Sequence, residues 1–238
     1  MSNGIRFFSA GPLSAIAIIV LIGLLILIIP LLILGIIGAA FTRLGFSWIS
    51  ALAVVLLMVM GSLINIPVYR IRRDTIRVLR NDTMVDGAST PWTPLQAWET
   101  PVSLNIGGAV IPVCISVYVA YRAILLSGIS LVVTMCAGII TVTAITFVST
   151  RLVNGVGFQV PLLIPGLTAL LFGVILFGGA GLTAAVTAFI SGTIGTLLGG
   201  NIAHLFGVKN LEIPGISVGG SGTFGAVLIC CILPALIA

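Results

Sequence analysis

Long apolar runs separated by short polar links set the pattern of this chain. A membrane-crossing helix needs about 20 apolar residues, and on that scale seven runs qualify: near 12–39, 46–67, 105–126, 128–150, 161–178, 180–206 and 219–238. The first, Gly11 to Ala40, exceeds the roughly 7–15 residues of a secretory leader's apolar core and is preceded only by Arg6. It is expected to be an uncleaved first span, long, tilted and kinked at Pro30. Between the second and third runs lies one long polar segment, 69–101. There RIRRDTIRVLRND alternates in places as a strand does, and NDTMVDG and STPWTP carry turn residues, so a small extended or hairpin element is expected. Residues 1–238 therefore read as a single membrane domain. The fold class is an all-α polytopic membrane protein of about seven transmembrane helices, some kinked or interrupted, with a small β element on the cytoplasmic face.

Composition supports the pattern. The chain is 59% hydrophobic and 6% charged, with a mean hydropathy of +1.34, whereas soluble domains carry about 25% charged residues. That excludes an ordinary soluble domain. The net charge of +5 is read as topology rather than as a nucleic-acid footprint, because arginines cluster beside apolar spans. Arg70, Arg72, Arg73, Arg77 and Arg80 open the polar segment and assign it to the cytoplasm, with the N-terminus inside, the C-terminus outside and the plasma membrane as location. On that topology Arg6, Arg151 and Lys209 also fall inside, while Arg43 and Arg122 fall outside. Arg122, close to a helix end, can snorkel to the interface. The five loop arginines are candidates for binding anionic lipid headgroups, at about 1 kcal/mol each near the surface. Trp92 and Trp98 suit an interfacial position. Cys114, Cys136, Cys230 and Cys231 all lie in apolar runs without CxxC spacing, so buried apolar packing is expected rather than a metal or a disulfide.

Three inward-side approaches to spans look alike: Pro101 to Gly108, Asn154 to Pro161, and Pro214 to Gly220. Each is a short extended piece ending at Gly or Pro where a helix begins, and the first and third suggest a weak internal repeat. Their helix N-termini should point the same way. Near them gather Asn65, Asn105, Asn201, His204, Ser221 and Thr223, with Gly107, Gly108, Gly219 and Gly220, most densely between Ser191 and Gly225. Helix N-termini offer free N–H groups, and glycine lets a backbone approach closely, so the set suits an anion or a polar solute. The same residues also suit tight helix packing, with Asn and Ser side chains bonding across the contacts. His204 reads either as an interface residue or as a ligand or pH-sensing group. No carboxylate lies in a span: Asp74, Asp82, Asp86 and Glu99 are in the polar segment and Glu212 is in the last link. That argues against a proton relay or a paired-aspartate protease. No nucleophile elbow, phosphate loop or dinucleotide fingerprint is present, and no cofactor is expected.

The segments GSLINIPVYRI (61–71), SLNIGGAVIPVCISVY (103–118), VGFQVPLLIP (156–165), SGTIGTLLGGNIAHL (191–205) and VGGSGTFGAVL (218–228) together resemble the signatures of an uncharacterised prokaryotic family, common in archaea. Its members are multi-pass membrane proteins carried under a domain-of-unknown-function label, and the resemblance runs from about Phe41 to the end of the chain. It implies fold and location, and no established activity. It also implies aspartates at the positions of Asn201 and Gly225, a pair that would resemble the carboxylates of intramembrane proteases of the presenilin and prepilin-peptidase type. Here neither acid is present.

The leading expectation is a non-enzymatic membrane protein that binds or passes a small polar solute or anion through a cytoplasm-facing vestibule lined by these residues. The alternatives are an intramembrane aspartyl-protease-like protein that has lost its acidic pair, and a structural subunit of a membrane complex. Expected partners are the lipid bilayer, anionic lipid headgroups, a small polar solute, and further copies or a larger membrane complex. The orientation is testable with alkaline phosphatase, which folds only outside the cytoplasm. A fusion after Asp86 should be inactive and one after residue 238 active, and the opposite pattern would reverse the assignment.

Overall fold

Backbone N–H and C=O groups in an apolar setting must bond within their own segment, so the apolar runs fold as helices. The computed structural model describes residues 12–73, 98–153, 157–205 and 215–234. In chain order the helices are α1 (Pro12–Arg43), α2 (Trp48–Gly61), α3 (Ile111–Ser127), α4 (Ser130–Ser149), α5 (Ile164–Phe177), α6 (Leu182–Leu197), the single turn α7 (Ala203–Leu205) and α8 (Phe224–Ile232). Two π-helical turns interrupt this series, Ile106–Val110 before α3 and Leu198–Ile202 between α6 and α7. Among the described residues three continuous helical segments are long and apolar enough to cross a membrane: Ile106–Ser127, Ser130–Ser149 and Leu182–Leu205. At 1.5 Å per residue they measure roughly 30–36 Å. α2 and α5 are apolar but shorter. α1 runs on through Pro30.

The polar approaches fold as strands. β1 (Asn65–Arg73) pairs antiparallel with β2 (Trp98–Asn105), and β2 pairs in parallel with β5 (Ile216–Val218). A separate pair joins β3 (Arg151–Val153) to β4 (Gly157–Gln159). The expected extended element is thus a small mixed sheet. The two approaches that look alike lie side by side in register: Val102 with Ile216, Ser103 with Ser217, and Leu104 with Val218. Pro67 has no N–H to give a sheet, and it sits on the edge strand β1 beside a bulge between Pro67 and Tyr69.

Two expected spans end differently from the apolar pattern. The run 46–67 is helical only to Gly61 and enters β1 at Asn65, where Ile66, the residue before Pro67, is itself biased toward the extended region. The run 219–238 becomes helical only at Phe224, after Gly219 has taken the left-handed conformation with φ +74°. Apolarity alone cannot separate a short buried strand from a helix. Of the interfacial assignments, Arg6, Arg77, Arg80, Trp92 and Lys209 lie outside the described residues, as do Asp74, Asp82, Asp86 and Glu212.

α6 is the hub. It is apolar or small on every side, and from Ala184 to Thr193 every residue is buried. Its glycines admit neighbours at backbone distance: a Cβ on Gly195 would lie 2.7 Å from the Cβ of Val142 in α4, and one on Gly192 would lie 3.0 Å from Ala169 in α5 and 3.1 Å from Cys230 in α8. Small residues at three- and four-residue spacing let membrane helices approach in this way. Cys230 and Cys231 are buried, with sulfurs 3.4 Å and 3.7 Å from the hydroxyls of Thr196 and Thr193. Cys114 and Cys136 correct the expectation of burial: both are free and exposed on the outer faces of α3 and α4. Arg122 is at the opposite end of α3 from the sheet, and its Nη1 donates to the Gly45 carbonyl at 3.3 Å in the turn between α1 and α2.

A Cβ on Gly107 would strike the Met58 carbonyl and the Ser62 N–H, whereas one on Gly35 in α1 meets nothing within 4 Å. Gly107→Ala should therefore lower stability by about 1–3 kcal/mol or prevent folding. Gly35→Ala should be neutral or stabilising by up to about 1 kcal/mol. Melting curves in detergent for the two variants check the contrast.

Candidate functional site

The helix ends at the sheet meet, and their side chains bond to one another. Asn105 is the last residue of β2, and its amide is buried. Its Nδ2 donates to the Ser62 carbonyl at 2.6 Å and to Asn65 Oδ1 at 3.0 Å, while its Oδ1 accepts from the Gly108 N–H at 2.7 Å. Asn65 Oδ1 also accepts from Ser217 Oγ at 2.6 Å, tying β1 to β5 across the end of β2. The second asparagine sits in the other π turn. Asn201 is fully buried; its Nδ2 donates to Thr223 Oγ1 at 3.0 Å, and its Oδ1 is 3.4 Å from the Gly219 N–H.

The two halves touch through backbone. A Cβ on Gly108 would run into the Gly219 carbonyl oxygen, and one on Gly219 would lie 2.6 Å from the Gly108 carbonyl carbon. Each π turn contains a Gly-Gly pair, Gly107-Gly108 and Gly199-Gly200. Close approach also requires Gly199, against the Thr143 carbonyl, and Gly222, against that of Phe158. The second approach, Asn154 to Pro161, joins here as well, for the Val160 N–H donates to the Gly222 carbonyl at 3.0 Å.

His204 closes a gap left by its own helix. In the π turn the Ala203 N–H reaches the Leu198 carbonyl, so the Gly199 carbonyl loses its ordinary helical partner. His204 Nδ1 lies 2.8 Å from that carbonyl and must carry the proton, because a carbonyl can only accept. The ring is half-buried between Phe147 and Phe158, with centroids 4.5 Å and 5.6 Å away.

Of the sequence-predicted residues, Asn65, Asn105, Gly107, Gly108, Asn201, Gly219 and Thr223 converge. Gly220 is close by, its carbonyl accepting from the N–H groups of Thr223 and Phe224 at 2.8 Å and 2.7 Å. Ser221 is exposed. His204 serves the Gly199 carbonyl on the far side of the π turn. The arginines divide: Arg70 is exposed on β1, the backbones of Arg72 and Arg73 continue that strand, and Arg77 and Arg80 lie outside the described residues. Sequence reasoning missed the Ser62 carbonyl, Ser217 and the π turns. A signal for the second π turn was present, since Gly199-Gly200 stands beside Asn201 within an otherwise helical run, whereas Gly107-Gly108 follows the end of a strand.

Residues 59–237 match a protein family described as "Protein of unknown function (DUF1614)". The chain belongs to that family. No curated protein and no solved structure matches it. In this DUF1614 chain a Cβ at position 225, where the resemblance implies an aspartate, would meet Leu162 at 2.7 Å, with no atom of Asn201 within 4 Å. The neighbour of Asn201 on the last helix is Thr223, the residue preceding α8.

Removing the buried Asn105 amide leaves the Gly108 N–H and the Ser62 carbonyl without their partner. Asn105→Ala should therefore cost about 1–3 kcal/mol. Asn201→Ala removes one good bond and one long one and should cost less. Paired unfolding titrations of the two variants test the order, and an equal or reversed cost would show that the pairing does not carry stability as drawn.

Proposed function

We propose that this chain is a multi-pass membrane protein, not an enzyme, that binds or passes a small polar solute or anion where Asn65, Asn105, Asn201 and Thr223 converge. One observation carries the reading: two of the chain's Gly-Gly pairs, Gly107-Gly108 and Gly199-Gly200, fall in π-helical turns, and the asparagine at each directs its side-chain carbonyl at a glycine N–H. Packing alone does not call for such turns, since Gly192 and Gly195 already bring α5, α8 and α4 close to α6 within regular helix. π turns concentrate at functional sites, and irregular backbone at membrane depth is tolerated where protein or a cavity satisfies it. The Gly108 and Gly219 N–H groups are the donors that an anion or a solute oxygen would use. That of Gly219, 3.4 Å from Asn201 Oδ1, falls beyond the usual 2.9–3.0 Å and is incompletely used by its present partner.

A second reading, a structural subunit of a membrane complex, is supported by the complete pairing of Asn105, whose amide protons and carbonyl are all engaged. The degenerate-protease reading gains no support, because neither position carries an acid and Asn201 bonds to the Thr223 hydroxyl.

The test is a thermal-shift screen of purified protein in nanodiscs against inorganic anions and small polar metabolites. A ligand at 100 times its Kd should stabilise by about 2.7 kcal/mol, and the shift should vanish in Asn201→Ala. If no compound raises the Tm while the protein remains folded, the solute reading fails and the structural one stands.

A further inference from the structure

The second π turn has an outer side as well as an inner one. Gly199, Gly200 and Asn201 face inward and are buried, while Leu198 and Ala203, the two residues joined by the π hydrogen bond, face a groove against α4. The groove has a volume of about 600 Å³, and its α4 wall is made of Ile139, Ile140, Ala144 and Phe147. It opens to the outside of the molecule, with Ile140 69% and Phe147 45% exposed. From Ile139 to Phe147 it follows about 12 Å of helix. Thr143 also lines it, but the hydroxyl of that residue is buried, so the surface offered is almost wholly carbon.

One end of the groove is chemically marked. Phe147 lies against the His204 ring, and His204 follows Ala203 directly. Its Nδ1–H is committed to the Gly199 carbonyl, which leaves Nε2 as an acceptor, suited to a headgroup hydroxyl rather than to a phosphate oxygen. Arg151, exposed, begins β3 about one turn beyond Phe147. An apolar channel on the outer face of a membrane-crossing helix, with a cation and an imidazole at one end, fits an amphiphile with an anionic head.

We propose that this groove is a binding site for one acyl chain of an anionic phospholipid, lying along α4 with its phosphate toward Arg151 and its headgroup hydroxyls toward His204. The chain replaces the solvent-excluded contacts that Ile140, Ala144, Phe147 and Leu198 lack, and the positive end orients it. Occupancy would also brace the π turn from the side opposite Asn201, giving the lipid a route to the polar centre. The site does not depend on the solute reading, since it requires only that α4 cross a bilayer.

Native mass spectrometry of the full chain, released from detergent after addition of phosphatidylglycerol, phosphatidylcholine or palmitate, tests the proposal. One phosphatidylglycerol should be retained per chain, in preference to the other two. Ala144→Trp and the smaller Ala203→Leu, which both fill the groove, should abolish retention, and Arg151→Gln should lower it severalfold. Val133→Trp, on an exposed part of α4 away from the groove, should leave it unchanged. Equal retention by folded Ala144→Trp and Ala203→Leu proteins, equal loss in Val133→Trp, or preference for palmitate or phosphatidylcholine would each overturn the assignment.

Discussion

Gly108 and Gly219 meet backbone to backbone, and only hydrogen fits between them. That contact brings the end of β2 against the end of β5, and the rest of the polar end follows from it. With the strands held this close, Asn105 can serve the first π turn and Asn201 the Gly219 N–H, so that the amides and the backbone of the turns find partners within the protein. The requirement is strict in an apolar setting, where an unpaired polar group costs several kcal/mol by rough transfer estimates. Glycine supplies the approach and asparagine the bonds, and neither would suffice alone.

The π turns show the same economy from another side. An added residue in a helix releases a carbonyl, and a released carbonyl must be answered. At the second turn His204 answers it from the following turn of its own helix, held between two phenylalanine rings. This gives the chain's only histidine a local structural task before any other is considered. Within the first turn, Asn105 accepts from the Gly108 N–H in the manner of a helix cap.

Much of this was legible in the chain. Apolar runs located the helices, and three extended approaches ending in Gly or Pro appear as β2, β4 and β5. The convergence of Asn65, Asn105 and Asn201 could be inferred from alternating span direction alone. What could not be read was register. Whether Asn201 would face Thr223 or position 225 depends on where α8 begins, and that is set by the Gly219 turn rather than by apolarity. The early end of α2 was hidden for a related reason: Leu63, Ile64 and Ile66 are apolar whether the backbone is helix or strand. The exposure of Cys114 and Cys136 was equally hidden, because in a chain this apolar, hydrophobicity no longer distinguishes inside from outside.

The parallel pairing of β2 with β5 joins distant parts of the chain, and the Ser103 hydroxyl beside it reaches a carbonyl 113 positions on, that of Ile216. The contacts of Asn105 with Ser62 and Asn65 reach back only 43 and 40 positions. During translation the early half can therefore satisfy its amide almost as soon as it emerges, while β2 keeps one edge open until the last approach is made. Long-range strand pairing of this kind is slow to form and leaves an unpaired edge exposed in the meantime. A ribosome stalled before Ile216 would thus carry a nascent chain that lacks β5 and α8 and whose sheet still offers a free side, the stage at which such a protein is most open to mispairing or to a chaperone.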